Sequence, residues 1–244
     1  SDVALVAHKD GFIVAYVDMR EGGAGIYLSK VGKDLQRVGN ERLVARAMGE
    51  ASEVRMIVRG EELFVAWGEA RQNPEAYGVF MARHGAADLS PRSDPARIVL
   101  APKNAKGLDL TAFGDGALLG FIEESPPNAA TAQTAPKTLV LTRIDPSLRG
   151  REPVRLSMSA QPSSVALDCD NVCRVIVAGA EKDELALYGF RFDGASAEPA
   201  ARLTAIPGVS TEDTNPVVSR DWLFFAEDNL HGAGRIIKAK LAWR

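Results

Sequence analysis

The sequence predicts an all-β fold, a β-propeller of about five four-stranded blades, on three observations. One segment recurs along the 244 residues at a spacing of roughly 50 residues, self-similarity of the kind that marks solenoids and propellers. The segments flanking it recur in the same order. Their apolar positions alternate with a period of two rather than 3.6, with β-branched and aromatic residues dominating, as pleated strands prefer.

The recurring segment is a second strand. It reads Asp10-Gly-Phe-Ile-Val-Ala-Tyr-Val-Asp18-Met-Arg20, then Glu62-Leu-Phe-Val-Ala-Trp-Gly-Glu69-Ala-Arg71, Gly116-Ala-Leu-Leu-Gly-Phe-Ile-Glu123-Glu124 and Asp221-Trp-Leu-Phe-Phe-Ala-Glu227-Asp228. A fainter copy, Val172-Cys-Arg-Val-Ile-Val-Ala-Gly-Ala-Glu181, lies before the last. First strands precede these copies: Asp2-Val-Ala-Leu-Val, Glu53-Val-Arg-Met-Ile-Val, Leu108-Asp-Leu-Thr-Ala-Phe, Ser164-Val-Ala-Leu and Pro216-Val-Val. Third strands follow them, from Gly25-Ile-Tyr-Leu to Arg235-Ile-Ile-Lys-Ala-Lys-Leu241. The first four copies add a short fourth run: Glu41-Arg-Leu-Val, Ala96-Arg-Ile-Val-Leu, Glu152-Pro-Val-Arg-Leu and Ala201-Arg-Leu-Thr. The approximate blades of this single domain are then 1–48, 49–104, 105–160, 161–208 and 209–244. Turn chemistry sits at the joints, with Asp10-Gly11, Arg59-Gly60 and Asp115-Gly116 placed to make tight hairpins.

The last blade looks incomplete, because the chain stops at Trp243-Arg244 after its third run. A five-bladed ring with a three-stranded last blade is preferred. A neighbour that completes the open edge at residues 235–241, or a larger propeller of which this is a piece, are the alternatives, since an unpaired edge invites pairing.

The second runs ending Tyr16-Val-Asp18-Met-Arg20 and Trp67-Gly-Glu69-Ala-Arg71 resemble the repeat of bacterial exported propellers related in architecture to sialidases. In those an aromatic, an acid and often an arginine end the second strand. The sialidase turn motif Ser-x-Asp-x-Gly-x-Thr-Trp is absent, as are Trp-Asp dipeptides of the WD40 kind. The resemblance implies export.

Cys169 and Cys173 flank the hairpin of the fourth copy. Facing positions across an antiparallel pair lie at a distance compatible with a disulfide, and exported propellers of the same kind often carry a Cys-x-x-x-Cys hairpin. A disulfide and a periplasmic or extracellular location are expected; two free thiols in a cytosolic protein are the alternative. Ser1 runs at once into strand-like residues, so an export signal or surface anchor removed from the N-terminus is compatible with the sequence.

Composition narrows the function. Hydrophobic content of 46% and charged content of 25% suit a globular domain with a sizeable core. A net charge of −3 supplies no basic stripe for nucleic acid. No apolar run approaches the ~20 residues of a spanning helix. The three histidines fall in different copies and read as surface residues. No metal site and no cofactor is expected, and no nucleophile elbow, phosphate loop or dinucleotide fingerprint is present.

The candidate ligand-binding residues are the strand-end acids and their arginines: Asp18, Arg20, Glu69, Arg71, Glu123, Glu227 and Asp228. All fall on the face that carries the second-to-third strand loops. A carboxylate ending each strand can serve the scaffold by accepting bonds from neighbouring loops, or it can form a ring that binds a polar ligand. The aromatics Tyr16, Trp67, Phe121 and Phe225 share one register position and read as core. The expected function is a binding module with no catalysis of its own, recognising a protein or glycan partner on that face. The alternative is a carbohydrate-active hydrolase or lyase using paired carboxylates at the channel mouth.

Overall fold

The computed structural model describes residues 2–20, 22–72, 75–101, 104–124, 137–158, 160–181, 184–206, 216–220, 222–227 and 235–241. It is a five-bladed, all-β propeller. The first blade pairs β1 (Val3–His8), β2 (Gly11–Arg20), β3 (Gly23–Gly32) and β4 (Arg37–Arg46) in chain order. The second is β5 (Glu50–Arg59), β6 (Glu62–Gln72), β7 (Glu75–Gly85) and β8 (Ala96–Ala101). The third is β9 (Asn104–Phe113), β10 (Gly116–Glu124), β11 (Lys137–Ile144) and β12 (Val154–Ser157). The fourth is β13 (Gln161–Cys169), β14 (Cys173–Glu181), β15 (Glu184–Phe192) and β16 (Ala201–Ile206). The fifth has three strands among the described residues: β17 (Val217–Ser219), β18 (Trp222–Glu227) and β19 (Arg235–Lys240). Every pairing is antiparallel. Among the described residues no helix is long and apolar enough to cross a membrane.

Alternation along each strand sends one set of side chains to the preceding blade and the other to the following one, so the core forms between blades. Ile13, Ala15, Ile26 and Leu28 of the first blade pack with Trp67 and Phe80 of the second. Phe64, Val79 and Met81 meet Leu119, Phe121 and Val140. Leu118, Ile122 and Leu141 meet Val175, Tyr188 and Phe190, and Ile176 and Leu187 meet Leu223 and Phe225. The four aromatics do not all play one part: Trp67, Phe121 and Phe225 are buried, whereas Tyr16 is half-buried and its hydroxyl donates to Glu41 at 2.6 Å.

Carboxylates tie the inner strands together. Glu53 accepts from the N–H of Gly107 at 2.7 Å and of Leu108 at 3.3 Å, joining the second blade to the third. Asp109 accepts from Leu167 N–H at 2.7 Å, joining the third to the fourth. Asp168 accepts from Arg220 N–H at 2.6 Å, joining the fourth to the fifth. Each latch satisfies a backbone donor that the end of one sheet would otherwise leave bare.

Gly60, with φ of 59°, makes the β5–β6 turn as expected, but two other hairpins depart from the expected turn chemistry. The two turn residues between β1 and β2 are Lys9 and Asp10, and those between β9 and β10 are Gly114 and Asp115. The first of each pair takes positive φ, 47° at Lys9 and 58° at Gly114. Gly11 and Gly116 instead open the second strands. There a Cβ would collide with the carbonyl oxygens of Val31 and Ile144 on the third strands, so glycine serves close strand approach rather than the turn.

Cys169 and Cys173 are disulfide-bonded across the β13–β14 hairpin, with Cα atoms 4.0 Å apart. Closing so short a loop stabilises by about 2 kcal/mol. A reductant should therefore lower the melting temperature, with Cys169→Ala/Cys173→Ala indifferent to it. Alkylation of unreduced protein should leave both cysteines unmodified.

Candidate functional site

The first three inner strands each carry an acid: Asp2 just before β1, Glu53 in the first half of β5 and Asp109 midway along β9. Glu53 stands at an irregularity in the β5–β6 register with φ of 54°. Two of these acids, Asp2 and Asp109, line the central cavity of about 390 Å³ together with Arg55. Its remaining wall is mostly aliphatic, including Val3, Leu5, Leu110, Val165 and Val217.

Arg55 is fixed by two bonds from one nitrogen. It donates to the Val54 carbonyl at 2.8 Å and to Asp2 Oδ2 at 3.3 Å. The other Asp2 oxygen, Oδ1, accepts from Val3 N–H at 2.9 Å. Asp109 has some accessible surface yet is densely surrounded by protein, and its oxygens accept from Leu110 N–H at 2.9 Å and Leu167 N–H at 2.7 Å. Burial pushes its pKa up to about 6 against the opposing pull of those two N–H groups and of Arg55. Burial also raises Glu53, again opposed by its two backbone donors. Tyr77, whose hydroxyl lies 3.3 Å from Ser52 Oγ, is raised by burial and by the nearby Glu53.

The Asp109 shift has a definite consequence for stability. The native protein holds a proton that the unfolded chain releases near 3.8, so stability falls as pH rises from there through about 6. The cost above that window is up to about 3 kcal/mol. Asp109→Asn cannot ionise but accepts one N–H fewer, worth about 1 kcal/mol. It should melt above the parent at pH 8 and lose that advantage at pH 4, as differential scanning calorimetry would read.

The residues expected from the repeat lie outward of this cavity. Asp18 and Arg20 pair at 2.7 Å, and Arg20 also binds Glu41 of β4 and stacks over Tyr27 with its guanidinium carbon 3.9 Å from the ring centre. The Glu41 carboxyl, held by Arg20 and Tyr16, drops to about 2. Glu69 is buried and accepts from Met48 N–H at 2.9 Å, on the crossing from the first blade to the second. Glu123 pairs with Arg155 of β12 at 3.0 Å. Arg71 lies in β6 and Glu227 at the end of β18, while Asp228 lies outside the described residues. Asp18, Glu69 and Glu123 lie on separate blades, each with its own local partner. The inner acids were missed because a charge in an alternating strand reads as a solvent-facing residue. The available signal was that the first, second and third inner runs all start with an acid or place one second.

Two other features stand apart. His84 is buried, 2% exposed, rather than a surface residue, with Nδ1 3.0 Å from the Leu89 carbonyl and its pKa lowered by burial. A cleft of about 220 Å³ on the opposite, hairpin face is lined by His8, Lys9, Lys30 and Val38 and has no pair of acids. Among the described residues no group of three or more His, Cys, Asp or Glu side chains is gathered as a metal site.

No protein-family model and no curated protein matches the chain. Solved structures do. A thermostable family-43 glycoside hydrolase superposes with a TM-score of 0.58 at 8% identity, over 100% of this chain and 89% of its own. The α-L-arabinofuranosidase from Lactobacillus brevis gives 0.57 at 10% identity, over 99% and 90%. The polysaccharide lyase Uly1 gives 0.58 at 11% identity, over 93% and 54%. These likenesses are of fold. They overturn the expectation of a binding module without catalysis, which rested on the absence of catalytic signatures from the repeats. Solved hydrolases and a lyase carry this architecture, so that absence does not mark a non-catalytic propeller.

Proposed function

We propose that the chain is a carbohydrate-active hydrolase that cleaves a glycosidic bond at the mouth of its central cavity. The observation that carries this reading is the pairing in one cavity of Asp109, raised to about 6 by burial, with Asp2, bound to Arg55. Glycoside hydrolysis needs two carboxyl groups in different protonation states, one to donate a proton to the leaving oxygen and one to activate water or attack the sugar. Asp109 is the donor, because it keeps its proton well above the usual carboxylate range. Asp2 is the base or nucleophile, and Arg55 is a positioning residue that aims it. Glu53 does not line this cavity and, accepting from the Gly107 and Leu108 N–H groups, serves the scaffold.

The solved neighbours named for arabinofuranose and for polysaccharides support a glycan as substrate. The Cys169–Cys173 disulfide supports placement in an oxidising compartment, periplasmic or extracellular, where such glycans are met. The test is incubation at pH about 5, below the Asp109 value, with arabinan, xylan and galactan oligosaccharides and with uronate polysaccharides. New reducing ends are expected. Unsaturated products would replace the hydrolase with a lyase, and intact substrates throughout the panel would overturn the proposal.

A further inference from the structure

The β1–β2, β5–β6 and β9–β10 hairpins close alike, yet the space beside each is filled differently. His8 faces Gly11, Arg59 faces Glu62 and Phe113 faces Gly116. Two residues further along the second strands, Ile13, Phe64 and Leu118 each face a cation on the third strand: Lys30, Arg83 and Arg143.

In the second and third blades the chain satisfies these positions itself. Arg59 donates to the Gly116 carbonyl of the next blade at 3.0 Å, and Arg83 pairs with the Glu62 carboxylate at 3.3 Å. Phe113 is 8% exposed and lies against Gly194 of the next blade, with the Arg143 guanidinium carbon 5.2 Å from its ring centre.

The first blade lacks both arrangements. Gly11 stands where Glu62 supplies its carboxylate, and among the described residues no carboxylate pairs with Lys30, whose ammonium donates to the Ala87 carbonyl of the next blade. That bond pins the cation at the blade boundary. His8 stands where Arg59 bonds and Phe113 packs, and its Nε2 is buried with no hydrogen-bond partner among the described residues. A buried polar atom left in that state calls for a partner. What remains is the cleft of about 220 Å³ on the hairpin face, with Ile13 and Val38 on its apolar wall. Positive charge gathers there: after burial, Lys9 and Lys30 are what lower the His8 pKa. The carboxylate on the rim, Asp10, is 97% exposed and lies 3.4 Å from Lys33.

We infer that this cleft is a binding site for a small organic acid, a carboxylate on an aliphatic or aromatic body. The ligand's carboxylate takes the place beside Lys30 that Glu62 takes beside Arg83, and its body lies on Ile13 and Val38. Charge-assisted bonds select the anion, and the apolar wall adds affinity for the body. The volume suits a ligand smaller than the drug-sized molecules that fill pockets of about 300–1,000 Å³. The cleft is on the face opposite the proposed catalytic cavity and does not depend on the hydrolase reading.

Benzoate is the probe. Titrated into the whole isotope-labelled protein, it should shift the amide resonances of residues 8–13 and 30–32 saturably, with half-saturation at about 1–10 mM. Benzamide keeps the ring without the charge, and inorganic phosphate keeps charge without the body; each should bind at least about tenfold more weakly. Lys30→Met, with its native circular dichroism verified, should weaken benzoate by about tenfold or more. No saturable shift up to about 50 mM benzoate, or shifts confined to the central cavity, would overturn the inference. So would benzamide or phosphate binding as tightly as benzoate, or a folded Lys30→Met that binds benzoate unchanged.

Discussion

Asp109→Asn is expected to reduce oligosaccharide turnover by roughly 100- to 10,000-fold, the range in which a positioned proton donor contributes to a rate. The substitution keeps the side chain's shape and one acceptor for the N–H groups of Leu110 and Leu167, so the propeller should persist while the proton is lost. The parent's kcat/KM should fall as pH rises through about 6, where Asp109 loses its proton. The variant's residual activity should lack that limb. Unchanged turnover in Asp109→Asn, with the limb intact, would assign the chemistry to other residues.

Trp67→Ala should destabilise the protein by about 3–5 kcal/mol, the usual cost of deleting a buried large aromatic. Trp67 is 1% exposed at the interface of the first two blades and stacks on Phe80 with ring centres 5.9 Å apart. Its indole N–H is buried and has no hydrogen-bond partner among the described residues. Trp67→Phe should therefore cost much less, because the ring lost is partly offset by removing an unsatisfied donor. Urea unfolding followed by circular dichroism would separate the two variants. An Ala variant within about 1 kcal/mol of the parent would mean that the first blade does not depend on this contact for its seat.

The propeller was legible in the sequence because its signal is repetition. Period-two runs with aromatics at one rank, Tyr16, Trp67, Phe121 and Phe225, can be aligned without knowing where any strand sits in space. The hairpin glycines were less legible. Asp-Gly is the same dipeptide whether its glycine makes the turn or lies beside a carbonyl of the next strand, and Gly11 and Gly116 do the latter. The catalytic candidates were least legible, for a geometric reason. A propeller's inner strand has apolar blades on both sides and a channel along its edge, so an acid such as Asp109 is placed by ring closure rather than by strand periodicity. The irregularity at Glu53 depends likewise on the following blade, whose Gly107 and Leu108 it holds. The strand-end acids drew notice because they repeat, and where their partners are described they repeat as local pairs: Asp18 with Arg20, Glu69 with the Met48 N–H, Glu123 with Arg155.

The most direct measurement of the central claim is a crystal structure of Asp109→Asn with a bound oligosaccharide taken from the panel the parent cleaves. A glycosidic oxygen within hydrogen-bond reach of the residue at 109, with Asp2 on the opposite side of the sugar ring, is the predicted result. A sugar seated against Asp18, Glu69 or Glu123, with the central cavity empty, would contradict it.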